Sequence, residues 1–130
     1  MVEVLIKLSQ DDWRLIENGI KTIVAHKTKP EQENGFFHEF RAIVCLTDGS
    51  GVVGKFDVNK IINTIRPESL ARGCCRTESE LIGYAAGSPV CGWCIKENSV
   101  LRYETPFDLE YATGFKEPPE TWAYLHREIT

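Results

Sequence analysis

Gly19-Ile20-Lys21-Thr22-Ile23-Val24-Ala25-His26-Lys27-Thr28-Lys29-Pro30 ends one element and begins another. Gly19 follows an amphipathic segment and is the residue type that stops helices. Residues 22–28 then read as a strand. Lys21, Ile23, Ala25, Lys27 and Lys29 share one parity, and Thr22, Val24, His26 and Thr28 share the other. Neither set is cleanly apolar. Such a strand suits the wall of a cleft, and it also suits a sheet edge where lysines discourage pairing with another chain. The stretch contains no acid, although the chain carries a net charge of −4. It therefore predicts a local positive face on an acidic protein.

On its N-terminal side, Val2, Val4, Ile6 and Leu8 alternate with polar residues and predict a half-buried strand. Ser9 offers an N-cap, with Asp12 three residues on. Trp13, Leu15, Ile16 and Ile20 form the apolar stripe of the helix that Gly19 ends, and Asp11 and Asp12 suit its dipole.

On its C-terminal side, residues 30–37 read as a loop and residues 40–46 as a strand. Asp48-Gly49-Ser50-Gly51 turns the chain into a further strand over residues 52–62. Gly54 inside that strand predicts a bulge or the close approach of another backbone. Residues 66–73 form a connection with a helical turn after Pro67. Thr77-x-x-Glu80 opens a second helix with a capping box, and Gly87 ends it. Strands follow over residues 90–95 and 99–103. A turn is expected at residues 106–109 and a final helical turn at residues 118–122. Two short helices among many short strands predict an α+β fold on a small curled or closed sheet, with residues 1–130 as a single domain.

Composition narrows the function. With 42% hydrophobic and 26% charged residues, the chain is that of a globular protein. No apolar run approaches the roughly 20 residues of a membrane span, and the start does not read as a signal peptide, so a cytoplasmic protein without a membrane role is expected. The net charge excludes a general basic attraction to nucleic acid or anionic lipid, so any such binding has to be local. Five cysteines, Cys45, Cys74, Cys75, Cys91 and Cys94, form an odd set consistent with reduced thiols.

Several motifs stand in a recognisable order: Gly19-x-Lys21-Thr22, Gly54-x-Phe56-x-Val58, Thr77-x-x-Glu80-Leu81-x-x-Tyr84, Gly92-Trp93-x-Ile95, Tyr103-x-x-Pro106-x-x-Leu109 and Pro118-Pro119-x-Thr121-Trp122. Over nearly its whole length the chain resembles the ASCH domains of the PUA-like superfamily, with the closest look to short bacterial and prophage-borne members. The resemblance implies a PUA-like β-barrel with a cleft between barrel and first helix. It also implies RNA or nucleotide-type ligands. The family's strand after the helix reads G-x-K-T-x-E-x-R. Here Lys21 and Thr22 match, while Val24 replaces the acid and His26 the arginine. One related group removes an acetyl group from a modified cytidine using a lysine, a threonine and a glutamate. The lysine corresponds to Lys21, but the threonine falls at Val24 and the glutamate at or near Cys74.

The candidate ligand-binding residues are Lys21, Thr22, His26, Lys27, Lys29 and Trp93. Lys21 is a point charge for phosphate, an amine tuned by burial, or a plain C-terminal complement to the helix dipole. Lys27 and Lys29 are expected on phosphates, and the 30–37 loop as a rim or lid. Trp93 is the preferred stacking platform, with Trp122 packed under the final turn and Trp13 in the core. Arg41, Arg72 and Arg76 are candidates to extend the positive face. Glu80 is explained by its cap.

Cys91-x-x-Cys94 lies on a predicted strand, where residues three apart face opposite ways, so neither a metal site nor a cofactor is expected. The first reading is thus an RNA- or modified-nucleotide-binding module with a basic cleft. A nucleoside hydrolase is the alternative, with Lys21, His26 and Cys74 as catalytic candidates. A protein–protein adaptor using Glu104, Asp108, Glu110 and Glu117 is the third. Oligomeric state stays open.

Overall fold

The computed structural model describes residues 1–31 and 36–125. Seven strands form a single sheet: β1 (Glu3–Leu8), β2 (Ile23–His26), β3 (Phe40–Leu46), β4 (Val52–Thr64), β5 (Val90–Ile95), β6 (Leu101–Phe107) and β7 (Trp122–Leu125). The order across the sheet is β2-β5-β4-β3-β1-β7, with β6 added beside β4. β1 and β3 run parallel, and the other pairs are antiparallel. The sheet curls into a half-barrel of α+β, PUA-like type. Its two edges meet through side chains: the Trp122 indole N–H donates to Thr28 Oγ1 at 2.9 Å, and Glu31 N–H donates to the Tyr124 hydroxyl at 2.7 Å.

The interior of the curl is apolar. Val4, Ile6, Trp13, Ile16, Phe40, Val44, Phe56, Val58 and Trp93 form its core. Here β1 departs from the half-buried strand its alternation predicts. Leu5 on the opposite face is also fully buried, packed with Ile43, Cys45, Val52 and Leu109. Leu109 and Ala112, from the segment after β6, cover that outer face, so β1 loses solvent on both faces.

Four short helices accompany the sheet where two were expected. α1 (Gln10–Glu17) is capped by Ser9, whose hydroxyl accepts from Asp12 N–H, and Gly19 leaves it at φ +72°. A 3-10 turn (Pro67–Leu70) runs into α2 (Ala71–Cys74), which ends in a left-handed Cys75. α3 (Glu78–Ala85) carries the full Thr77–Glu80 capping box. α4 (Leu109–Thr113) begins at Asp108, whose carboxylate caps it. Two expectations fall here. The predicted turn at residues 106–109 is the end of β6 followed by α4. The predicted helical turn at residues 118–122 is a bend leading into β7, which pairs with β1 from Ile6↔Trp122 to Glu3↔Leu125. The prolines do interrupt the chain, but the conformation after them is set by pairing with a strand from its opposite end.

Gly54 behaves as its position in a strand predicts. A Cβ there would lie 2.3 Å from the Leu101 carbonyl oxygen and 2.5 Å from the Trp13 ring. The missing side chain lets β6 and α1 close on β4.

Candidate ligand cleft

A cleft of about 330 Å³ opens where β2 faces the ends of β1 and the approach to β7. Val24, Ala25 and His26 come from β2, Lys7 and Leu8 from β1, and Glu120 and Thr121 from the bend before β7. Asp12 enters from the first turn of α1, Cys74 and Arg76 from around the end of α2, and Glu80, Leu81 and Tyr84 from α3. Lys21, just ahead of β2, completes the lining.

Lys21 is only 5% exposed. It precedes the strand proper, so its side chain does not follow the alternation of β2; its ammonium donates to the backbone carbonyl of Cys74. Burial lowers its pKa below the ordinary lysine value; Asp12 opposes that shift and Arg76 reinforces it. Arg76 itself is held by Asp12 at 2.6 Å, across the gap between α1 and the α2–α3 connection.

His26 is 7% exposed and stacks on Trp93 with ring centroids 4.1 Å apart. Its Nδ1 is buried and has no hydrogen-bond partner among the described residues. Burial, reinforced by the charge on Lys21, lowers its pKa from 6.5 to about 4, so the imidazole is neutral at pH 7. Cys74 is 1% exposed, and burial pushes its thiol pKa up.

The structure thus brings Lys21, His26 and Cys74 to one cleft and separates the other candidates from it. Thr22 is exposed and faces a different hollow, beside Ile95 and Lys96. Lys27 stands outside, with its ammonium 5.3 Å over the Tyr84 ring at the cleft's rim. Lys29 is exposed beyond it. Trp93 cannot serve as a stacking platform: it is fully buried, and its indole N–H donates to the Thr28 carbonyl at 3.1 Å. Its place is beneath His26. Trp122 does not pack under a helical turn; it lies in β7, 5.9 Å from Trp93 between ring centroids. Trp13 is core, as expected. Of the three candidate arginines, Arg76 reaches the cleft. Arg41 pairs with Asp57 at 2.9 Å and with Glu3 at 3.9 Å on another face, and Arg72 is exposed. The rim or lid expected of the 30–37 loop falls in part on residues 32–35, outside the described residues.

The largest correction concerns charge. Lys7, Lys21 and Arg76 are matched in the lining by Asp12, Glu80 and Glu120. The cleft is balanced rather than basic. Sequence reasoning missed Asp12, Tyr84 and Glu120 because each sits on a different element; Asp12 also reads as the third residue of a capping pattern, although its carboxylate pairs with Arg76. Cys91 and Cys94 do diverge: Cys91 packs into the interior and donates to Asn63 Oδ1 at 3.0 Å, while Cys94 is half-buried.

A curled sheet wrapped round an apolar interior, with a cleft between its seam and the first helix, defines a PUA-like half-barrel. Its fold is that of the ASCH domains. The crystal structure of ASCH from Zymomonas mobilis matches with a TM-score of 0.74, covering 96% of this chain and 88% of that one at 16% identity. Two mutant forms of that protein match at 17% identity with TM-scores of 0.74 and 0.73, covering 96% of this chain and 89% and 91% of theirs. No protein-family model matches the chain, and no curated protein matches it.

Proposed function

We propose that this protein binds a nucleoside-type ligand, either a free nucleotide or one unpaired nucleotide of an RNA, in the cleft lined by Lys21 and His26. The observation that carries the reading is the buried, unpartnered Nδ1 of His26. Native proteins rarely leave such an atom unpaired, and a turn of the ring toward the cleft that His26 lines would bring it to a ligand. The likeness of fold to ASCH domains supports the ligand class. Lys27 at the rim is placed to meet a phosphate of the same ligand. The balanced lining favours one base and its sugar over a long phosphate track.

Titration with short single-stranded RNA, single-stranded DNA, duplexes and a nucleoside and nucleotide panel tests this, read by calorimetry. Binding by one class, weakened at least about tenfold in Lys21→Met and in His26→Phe, is expected, a loss equal to about one hydrogen bond. Equal binding by wild type and both variants, or no binding to any probe, overturns it.

A second reading, hydrolysis of an acylated nucleoside, draws on one observation: Lys21, Val24 and Cys74 all line this cleft. These are the positions the related hydrolases use, although Val24 has no hydroxyl and burial disfavours the Cys74 thiolate. Turnover of acylated cytidines that disappears in Lys21→Met would favour it.

A further inference from the structure

Lys21 has the surroundings of a nucleophile as well as those of a binding group. Its amine is 5% exposed yet lines a cleft large enough for a small molecule. One N–H is engaged by the Cys74 carbonyl, which fixes the nitrogen in place. The Arg76 guanidinium stands nearby, and Asp12, the acid that would otherwise pair with the lysine, is taken up by Arg76 at 2.6 Å. Desolvation and a neighbouring cation are the two devices by which proteins hold a lysine amine unprotonated and reactive toward carbonyl compounds. His26 lines the same cleft beside Lys21.

We propose that Lys21 forms a reversible imine with small uncharged aldehydes that enter the cleft. The Lys21 nitrogen lone pair adds to the aldehyde carbon, and the carbonyl oxygen takes one amine proton to become a hydroxyl. That hydroxyl then leaves as water with the second amine proton, and the C=N bond closes. No electrons are gained or lost. The uncharged class follows from the lining, where, with Lys21 a neutral amine, the acids Asp12, Glu80 and Glu120 outnumber the cations Lys7 and Arg76, so that a carboxylate-bearing aldehyde is repelled.

The test uses the full chain with propionaldehyde and sodium cyanoborohydride at pH 7. The reagent's hydride reduces the imine to a stable secondary amine, and peptide mapping by mass spectrometry locates it. Lys21 is expected to be alkylated at least severalfold faster than exposed Lys27 and Lys29, because its desolvated amine lines the cleft and is held in place by the Cys74 carbonyl. Labelling of Lys21 no faster than of those two overturns the proposal. Arg76→Gln, checked for native circular dichroism, should slow Lys21 while leaving Lys29 unchanged. An unaltered Lys21 rate in that variant would show that the setting contributes nothing. With glyoxylate in place of propionaldehyde, the preference for Lys21 over Lys29 should shrink, and a larger preference overturns the uncharged class.

Discussion

His26 stays neutral where a histidine in water would be titrating, and that has a thermodynamic sign. In the unfolded chain the imidazole takes its proton below pH 6.5, and in the folded chain only near pH 4. Between those values the unfolded state binds more protons, so stability is complete above pH 6.5 and is lost as pH falls toward 4. A shift of this size corresponds to a ceiling of about 3 kcal/mol. Urea denaturation at pH 7 and pH 4.5 should show a drop in wild type that is smaller in His26→Phe, which keeps a ring against Trp93 but cannot be protonated. An equal drop in both would place the acid sensitivity elsewhere. Gly54 supports a second prediction at this scale. Gly54→Ala has to push a methyl against the Leu101 backbone and the Trp13 ring, and should cost about 2–3 kcal/mol, as overpacking does, read as a lower urea midpoint.

Elements differ in how far local chemistry decides them. α3 is set by its own first turn: Glu80 N–H donates to the Thr77 hydroxyl at 3.1 Å, and Thr77 N–H donates to the Glu80 carboxylate at 3.0 Å. Thr77→Ala should therefore destabilise by about 1 kcal/mol, measured by thermal or chemical unfolding. Because Glu80, Leu81 and Tyr84 line the cleft from this helix, the same variant should weaken ligand binding less than Lys21→Met does. Such local signals were readable in the chain, and so were the ends of β3 and β5 and the helix stop at Gly19. α4 and β7 were not. Asp108 is one polar residue among many until Leu109 and Ala112 find the outer face of β1 and β3. Trp122 and Tyr124 look like any residues after a Pro-Pro pair until β1 offers its edge. The site divides in the same way. Lys21 and His26 stood out by residue type, whereas Trp93 was misassigned because aromatic character alone does not separate a platform from a core residue.

At the scale of the molecule, charge balance in the cleft sets how binding responds to salt. A basic track releases one counterion for nearly every phosphate it neutralises. Here Lys7, Lys21, Lys27 and Lys29 stand in or beside the cleft in no ion pair among the described residues, so the slope of log K against log salt for a short RNA should not exceed about 3 in magnitude. A steeper slope, measured by anisotropy across a salt series, would mean that a larger phosphate track exists than the cleft and its rim provide.

The seam between the sheet edges carries a consequence for synthesis. Thr28 and Trp122 are 94 residues apart, and Glu120 and Thr121 form part of the cleft wall. Chains emerge from the ribosome N-terminus first. A nascent chain can therefore display Lys21 and His26 long before it has the residues that finish the compartment around them. The cleft wall is thus finished only in chains elongated past β7, and every earlier translation intermediate carries it open.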